Sequence, residues 1–217
     1  MNLLRVGNAA VLAANQFNPS VAGQHWLVNN GIVSLDDLEP GCVFTDVLVQ
    51  VNSRAFQLLI TPMQCQVVPK CDVSQQGAVV RSKIGDIVRM LPHTPYVALG
   101  LNFLWQITGT EEQVRSLSRE LFFVESGRLH TFFEEPDARF GGYLSKDFLG
   151  FRLKLDVKPA LGETEGEQFH ALQFGFNFHS DIKQDPVETV IDALLKWDAA
   201  DSHASMVMNH VITERLL

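Results

Sequence analysis

Residues 96–108 read YVALGLNFLWQIT, and residues 168–179 read QFHALQFGFNFH. In both stretches large apolar side chains alternate with mostly small or polar ones. Alternation of this length is typical of an antiparallel strand with one buried face, because strands that are buried on both faces are apolar throughout. The two stretches therefore predict a sheet that is covered on one side only.

Three amphipathic helices accompany these strands. Thr110 and Gln113 have the spacing of a capping box, which predicts the start of one helix. Asp185 followed by Pro186 predicts the start of another, with Asp185 as its N-cap. A third is predicted before Pro92 by apolar residues at helical spacing: Val80, Ile84, Ile87, Val88 and Leu91. The combination predicts an α+β fold, in which an antiparallel or mixed sheet has amphipathic helices covering one face.

The remaining boundaries depend on shorter patterns. These predict strands over residues 9–17, 25–28, 42–51, 55–68, 127–134 and 147–158. Pro62 is expected to interrupt the fourth of them or to place it at a sheet edge, because proline cannot donate to a strand ladder. Three other features are predicted: a hairpin turn at Asn52-Ser53, an acidic loop over 161–167, and a last helix that begins at Asp201 or Ser202 and turns Val207, Val211 and Leu216 inward.

Composition narrows the class of protein. The chain has 217 residues and a formal net charge of −8, which argues against nucleic acid as a partner because nucleic-acid binding needs a basic face. No apolar run is long enough for a membrane span. We predict a single domain over residues 1–217, and a division into two sub-lobes, 1–123 and 124–217, stays open.

The cysteines and the N-terminus indicate the compartment. Cys42, Cys65 and Cys71 form no CxxC pattern and leave one thiol over in any disulfide scheme. We therefore expect reduced thiols in a cytoplasmic protein. The apolar run 9–14 superficially resembles a leader peptide, but an early strand is favoured because the run is only six residues long.

The histidines do not have metal-site spacing. His170 and His179 are nine residues apart on one strand, which puts them on opposite faces. His203 and His210 are seven apart on a predicted helix, where we expect both to be exposed, and no HExxH pattern occurs. Glycine-rich phosphate loops and a GxSxG element are also missing from the sequence. We therefore predict no catalytic residue, no metal site and no cofactor.

The last helix carries a candidate interaction surface. Met206, Met208 and Ile212 belong to an apolar set that occupies more of the helix than one core stripe requires. The sequence leaves open whether this set fills the core or contacts a partner.

A second feature concerns Gly100 and Asn102, on the small or polar face of strand 96–108. Here a second layer of the fold approaching closely is favoured over a docked partner.

Residues 93–107, HTPYVALGLNFLWQI, resemble a recurrent feature of an uncharacterised, sporadically distributed bacterial protein family. The matching positions are Tyr96, Ala98, Gly100 and Asn102. The C-terminal region from Leu194 is similar to the closing helices of that family, and the order of elements agrees from about residue 42. The resemblance implies no activity and no site residues.

Taken together, these patterns favour a non-catalytic cytoplasmic interaction or assembly protein of prokaryotic or phage-related origin, which contacts a protein partner or associates with itself. The alternative is an enzyme or a small-ligand-binding protein whose site is assembled from dispersed residues, namely His130, Glu134, Asp137 and His170. A deep pocket with convergent polar groups would favour the alternative, whereas an apolar patch would favour assembly.

Overall fold

A computed structural model describes residues 1–164 and 167–213. Within these residues nine strands form one antiparallel open sheet, and five α-helices pack against it. The strands are β1 (Asn2–Ala14), β2 (Val43–Phe44), β3 (Val49–Asn52), β4 (Phe56–Thr61), β5 (Gln64–Pro69), β6 (Tyr96–Gly109), β7 (Gly142–Phe148), β8 (Phe151–Thr164) and β9 (Glu167–Asp181). The helices are α1 (Gln24–Asn29), α2 (Val73–Met90), α3 (Glu111–Phe122), α4 (Pro186–Leu194) and α5 (Trp197–Thr213). The predicted α+β class is confirmed.

The two alternating stretches form neighbouring strands in the middle of the sheet, whose order is β2-β3-β4-β5-β1-β6-β9-β8-β7. β6 and β9 pair from Ala98 to Gly109, so that Phe103 lies opposite Phe176. Directly opposed residues share a face, and the alternation therefore collects the large side chains of both strands on one side. β6 comes from the first predicted sub-lobe and β9 from the second, and the single-domain assignment stays a prediction.

The helices contact the face that carries these large side chains. Trp197 of α5 packs against Phe103, with 4.9 Å between ring centroids. The capping box predicted at Thr110 and Gln113 is present at the start of α3. Asp185 occupies the N-cap position of α4 and Pro186 is the first helical residue, as predicted, but the Asp185 side chain makes no capping hydrogen bond and its backbone is left-handed.

Strand β1 is longer at its start than predicted and ends earlier. It runs from residue 2 to residue 14 between β5 and β6, whereas the sequence predicted 9–17. The early part was missed because Arg5 and Asn8 occupy buried-face positions. Arg5 lies over the Trp105 ring and donates from Nη1 to Asp201 Oδ2 at 3.0 Å. These polar side chains hide the strand period.

Two other N-terminal predictions are wrong. Residues 25–28 lie in helix α1, of which only Leu27 is fully buried, so that no helical period is visible in the sequence. The predicted strand 42–51 is divided into β2 and β3 by a turn that Thr45 Oγ1 stabilises through hydrogen bonds with Leu48. The hairpin between β3 and β4 is confirmed, but its turn begins after Asn52, which is still paired with Gln57. The interruption at Pro62 is confirmed.

The region after α3 also differs from prediction. Residues 127–134 contain a short 3-10 turn (His130–Phe132) instead of a strand. The predicted strand 147–158 is a hairpin, with Leu149 and Gly150 forming the turn between β7 and β8. Both turn residues have positive φ, 51° and 85°, as a two-residue type I′ turn requires. Leu149, which lies within the predicted strand 147–158, is therefore in the turn.

The predicted acidic loop 161–167 is mostly strand, since β8 continues to Thr164 and β9 starts at Glu167; residues 165 and 166 lie outside the described residues. Helix α5 begins at Trp197 rather than at Asp201 or Ser202. Its buried stripe is Trp197, Ala200, Ala204 and Met208. Val207 and Val211, predicted to face inward, are only half-buried, and Leu216 lies outside the described residues.

Candidate interaction surface on the open face of the sheet

The face of the sheet opposite the helices, here called the open face, is built from the second set of alternating positions. Its centre consists of glycine, alanine, leucine and asparagine residues on three adjacent strands. Gly7 and Ala9 of β1 lie opposite Leu104 and Asn102 of β6, and Leu104 in turn lies opposite Gly175 of β9. The polar and aromatic contacts between helices and sheet involve the other face, for example at Arg5, Asn8 and Phe103. The second layer expected here is therefore not found in the described part of the chain.

A row of side-chain amides crosses this face. Asn177 Nδ2 donates to Asn102 Oδ1 at 2.6 Å, and Gln106 Nε2 donates to Gln173 Oε1 at 3.3 Å. Gly100 leaves room for this row, because a Cβ at that position would lie only 3.0 Å from Asn177 Nδ2. The amides are half-buried and keep further donor and acceptor capacity toward the solvent side.

An irregularity in β1 produces a depression beside this row. The pairing of β1 with β6 shifts between Arg5 and Gly7, which leaves Val6 as an extra residue. Val6, Val68 and Leu104 border a depression of about 410 Å³, and Asn102 and Asn177 contribute its amide side. None of its eleven lining residues is an acid, a base or a nucleophile.

Strand β8 carries charged residues on the open face. Lys154 lies opposite Asn177, and Lys158 lies opposite Gln173. Lys158 pairs with Asp156 at 3.4 Å, and Arg152 pairs with Asp147 at 3.1 Å. Charge on this face therefore lies toward β8, to one side of the uncharged depression.

The structure separates the three residues of the candidate surface on α5. Met208 is fully buried in the core, Met206 is 59% exposed, and Ile212 is half-buried. A partner that contacts this helix would thus meet Met206 and Ile212 but not Met208. The interaction surface on α5 stays a prediction.

The four residues of the predicted dispersed site have different surroundings. His130 packs between Phe123 and Phe140 and accepts at Nδ1 from the Val124 N–H at 2.8 Å. His170 lies beside Glu111 and Arg139, near the start of β9. Glu134 and Asp137 are exposed. None of the four is joined to another by a hydrogen bond or an ion pair in the described chain.

Two other histidines, His179 and His203, also have identifiable partners. His179 is on the open face and lies 3.1 Å from Asp181 Oδ1, so the opposite orientation of His170 and His179 follows the prediction. His203 was expected to be exposed, but it stacks on Phe148 with 4.1 Å between ring centroids. Burial, followed by the charge of Lys146, lowers the pKa of His203.

The described residues offer few other sites for chemistry. Among them, no group of three or more His, Cys, Asp or Glu side chains is arranged to hold a metal ion. The three cysteines are free thiols, and burial raises the pKa of Cys65 to about 12. No helix in this part of the chain is both long enough and apolar enough to cross a membrane.

Sequence reasoning identified part of the open face. The small or polar character of Gly100, Asn102, Gly175 and Asn177 is visible in the alternation. Gly7 and Val6 were missed, because their strand was predicted to begin at residue 9.

Comparison of the chain with protein-family models, with curated proteins and with solved structures found no match in any of the three.

Proposed function

We propose that this chain is a non-catalytic interaction or assembly protein that acts through protein–protein contacts in the cytoplasm of a prokaryote or in a phage-related system. We further propose that the depression on the open face binds an uncharged, apolar segment of a partner protein. The resemblance to a sporadically distributed bacterial family is part of this proposal and adds no activity to it.

The observation that carries the proposal is the chemical character of the depression. Acid–base or nucleophilic catalysis needs a titratable or nucleophilic side chain within reach of the substrate. The lining of this depression is aliphatic, aromatic, glycine or amide. Such a lining supports binding, whereas it supplies no group that transfers a proton or attacks a carbon.

The same lining selects the kind of segment that fits. A charged side chain placed there would lose water without gaining an ionic partner, which is costly. An apolar side chain would instead cover Val6, Val68 and Leu104. Asn102 and Asn177 offer donors and acceptors to the peptide groups of the bound segment. The missing side chain at Gly7 and the single methyl group of Ala9 allow its backbone to approach closely.

Selection of displayed random peptides on the purified protein tests this proposal. We expect the selected peptides to be uncharged and apolar at their centre. Gly7→Leu fills the depression, and it should fold because a Cβ at residue 7 meets no atom within 4 Å. It should weaken peptide binding roughly tenfold or more, as loss of an apolar anchor does. Gly23→Leu is the matched control, since residue 23 is equally open but lies outside the depression.

Three results would contradict the proposal. Selected peptides could carry charges at their centre, or their binding could be equal in the Gly7→Leu and Gly23→Leu variants. The third result is a failure to select any peptide while small uncharged compounds bind and are displaced by Gly7→Leu. That result would favour the alternative of a small-ligand-binding protein.

A further inference from the structure

The two edges of the sheet differ in how far they are protected from pairing. The β2 edge has only two residues, Val43 and Phe44, and the chain turns away at Thr45. The β7 edge has seven residues, Gly142–Phe148, without a proline. A long edge strand presents unpaired backbone groups, and short edge strands are one way in which proteins avoid such exposure. The β7 edge is therefore the one whose backbone groups are available for pairing with another strand.

The hairpin turn defines which backbone groups of β7 are free. In a two-residue type I′ hairpin, the pair that flanks the turn exchanges both of its hydrogen bonds, and hydrogen-bonded and non-hydrogen-bonded pairs then alternate. The flanking pair here is Phe148 and Phe151. The N–H and C=O groups of Tyr143, Ser145 and Asp147 consequently point away from β8. In the described chain no hydrogen bond from another element reaches these groups.

We infer that β7 pairs in antiparallel register with β7 of a second copy of this chain, around a two-fold axis at Ser145. Antiparallel partners share a face, so a two-fold axis perpendicular to the sheet must pass through a residue and not between two residues. With the axis at Ser145, Tyr143 lies opposite Asp147 of the second copy. All outward N–H and C=O groups of the three residues then find partners.

The register with its axis at Ser145 differs from its neighbours in backbone pairing and in side chains. An axis at Leu144 would place Asp147 opposite Gly141, which lies outside β7. An axis at Lys146 or Asp147 would place two like charges directly opposite each other, which destabilises a strand pair. An axis at Ser145 places Leu144 opposite Lys146 of the second copy, where the aliphatic stem of the lysine can cover the leucine. Leu144 is 54% exposed in the single chain. The Ser145 hydroxyl, buried and without a hydrogen-bond partner among the described residues, faces its own copy.

This inference goes beyond the proposed function, because the β7 edge is separate from the open-face depression. Sedimentation equilibrium at high micromolar concentration should give twice the chain mass of 24.2 kDa. In the dimer, residue 144 of each copy lies opposite Lys146 of the other copy. Leu144→Lys therefore creates two lysine–lysine pairs, whereas Leu144→Glu creates two pairs of opposite charge. We expect the dissociation constant of Leu144→Lys to exceed that of Leu144→Glu by roughly tenfold. The two variants are matched in polarity and position.

Hydrogen exchange gives an independent measurement on the wild-type protein. On dimer formation the N–H groups of Tyr143, Ser145 and Asp147 should become protected, while those of Leu144 and Lys146 are protected by β8 at every concentration. A monomer at high micromolar concentration would overturn the inference. So would a dimer in which Leu144→Lys and Leu144→Glu dissociate alike, or one that leaves the exchange at Ser145 unchanged. Peptide binding at the open face would be unaffected by any of these results.

Discussion

The two faces of strands β6 and β9 show how one sequence pattern serves two purposes. On the buried face Phe103 meets Phe178 and Trp197, at centroid distances of 5.7 and 4.9 Å. On the open face Asn102 and Asn177 meet each other through a hydrogen bond, beside glycines and alanines. The buried face supplies stability by removing apolar area from water. The open face contributes little of this area, and its composition is thus free to serve binding.

The largest effect expected from this comparison is at Phe103. Phe103→Ala should lower the free energy of unfolding by about 3–5 kcal/mol, because it leaves a cavity between β9 and α5. Asn102→Ala, one position away on the open face, should cost about 1 kcal/mol through the lost amide hydrogen bond. Urea denaturation of both variants measures the difference, and a larger loss at Asn102 would reverse the assignment of the faces.

A smaller effect is expected from the polar cluster under the helices. Arg5 and Asp201 are largely buried, with side-chain exposures of 19% and 13%. Asp201→Ala leaves the guanidinium without this partner and should cost about 2 kcal/mol. Asp86→Ala removes the more exposed ion pair with Arg89 on α2 and should cost about 0.5 kcal/mol or less. Equal losses in denaturation experiments would mean that the Arg5–Asp201 pair is solvated.

Two glycines on the open face sharpen the comparison further. Gly100→Ala should destabilise by about 1 kcal/mol, since its Cβ displaces Asn177 and weakens the amide pair. Gly7→Ala should be neutral or stabilise by up to about 1 kcal/mol, because its Cβ meets open space and the unfolded chain loses freedom. Thermal unfolding of the two variants decides this, and a Gly100→Ala protein as stable as Gly7→Ala would contradict it.

The pH dependence of stability tests the packing of His203 against Phe148. The pKa of this histidine is lowered in the folded state, so the unfolded chain binds the proton more readily. Its contribution to stability is therefore complete above the ordinary histidine pKa of about 6.5 and declines as the pH falls below that value. His203→Phe should reduce this decline in urea midpoints between pH 7.5 and about 5.5.

An unchanged slope in His203→Phe, with the protein folded, would show that the imidazole is as well solvated in the native state as in the unfolded one.

The smallest effect concerns the reactivity of the three cysteine thiols in the native protein. Cys65 is fully buried on β5, and burial raises its pKa to about 12. Alkylation of the native protein should leave Cys65 unmodified while the partly exposed Cys42 and Cys71 react, because a reagent cannot reach a fully buried thiol. Denatured, unreduced protein should titrate three thiols. Rapid alkylation of native Cys65, read by peptide mass spectrometry, would indicate that β5 opens readily.

The sequence alone determined the elements whose signals are local. The alternation of β6 and β9, the apolar stripe of α2 and the capping box of α3 depend on residues within a few positions of each other, and each is found where it was predicted. The small and amide character of the open face was visible for the same reason.

Only the tertiary structure decided features that depend on distant partners. The start of β1 depends on Arg5 and Asp201, which are 196 positions apart, and a polar residue at a buried position breaks the strand period until its partner is known. The buried stripe of α5 likewise depends on what faces it, so Met208 could not be assigned to the core from spacing alone. That no second layer covers the small and amide face in the described part of the chain is also a long-range property, because the alternation within a strand does not depend on what packs against that face.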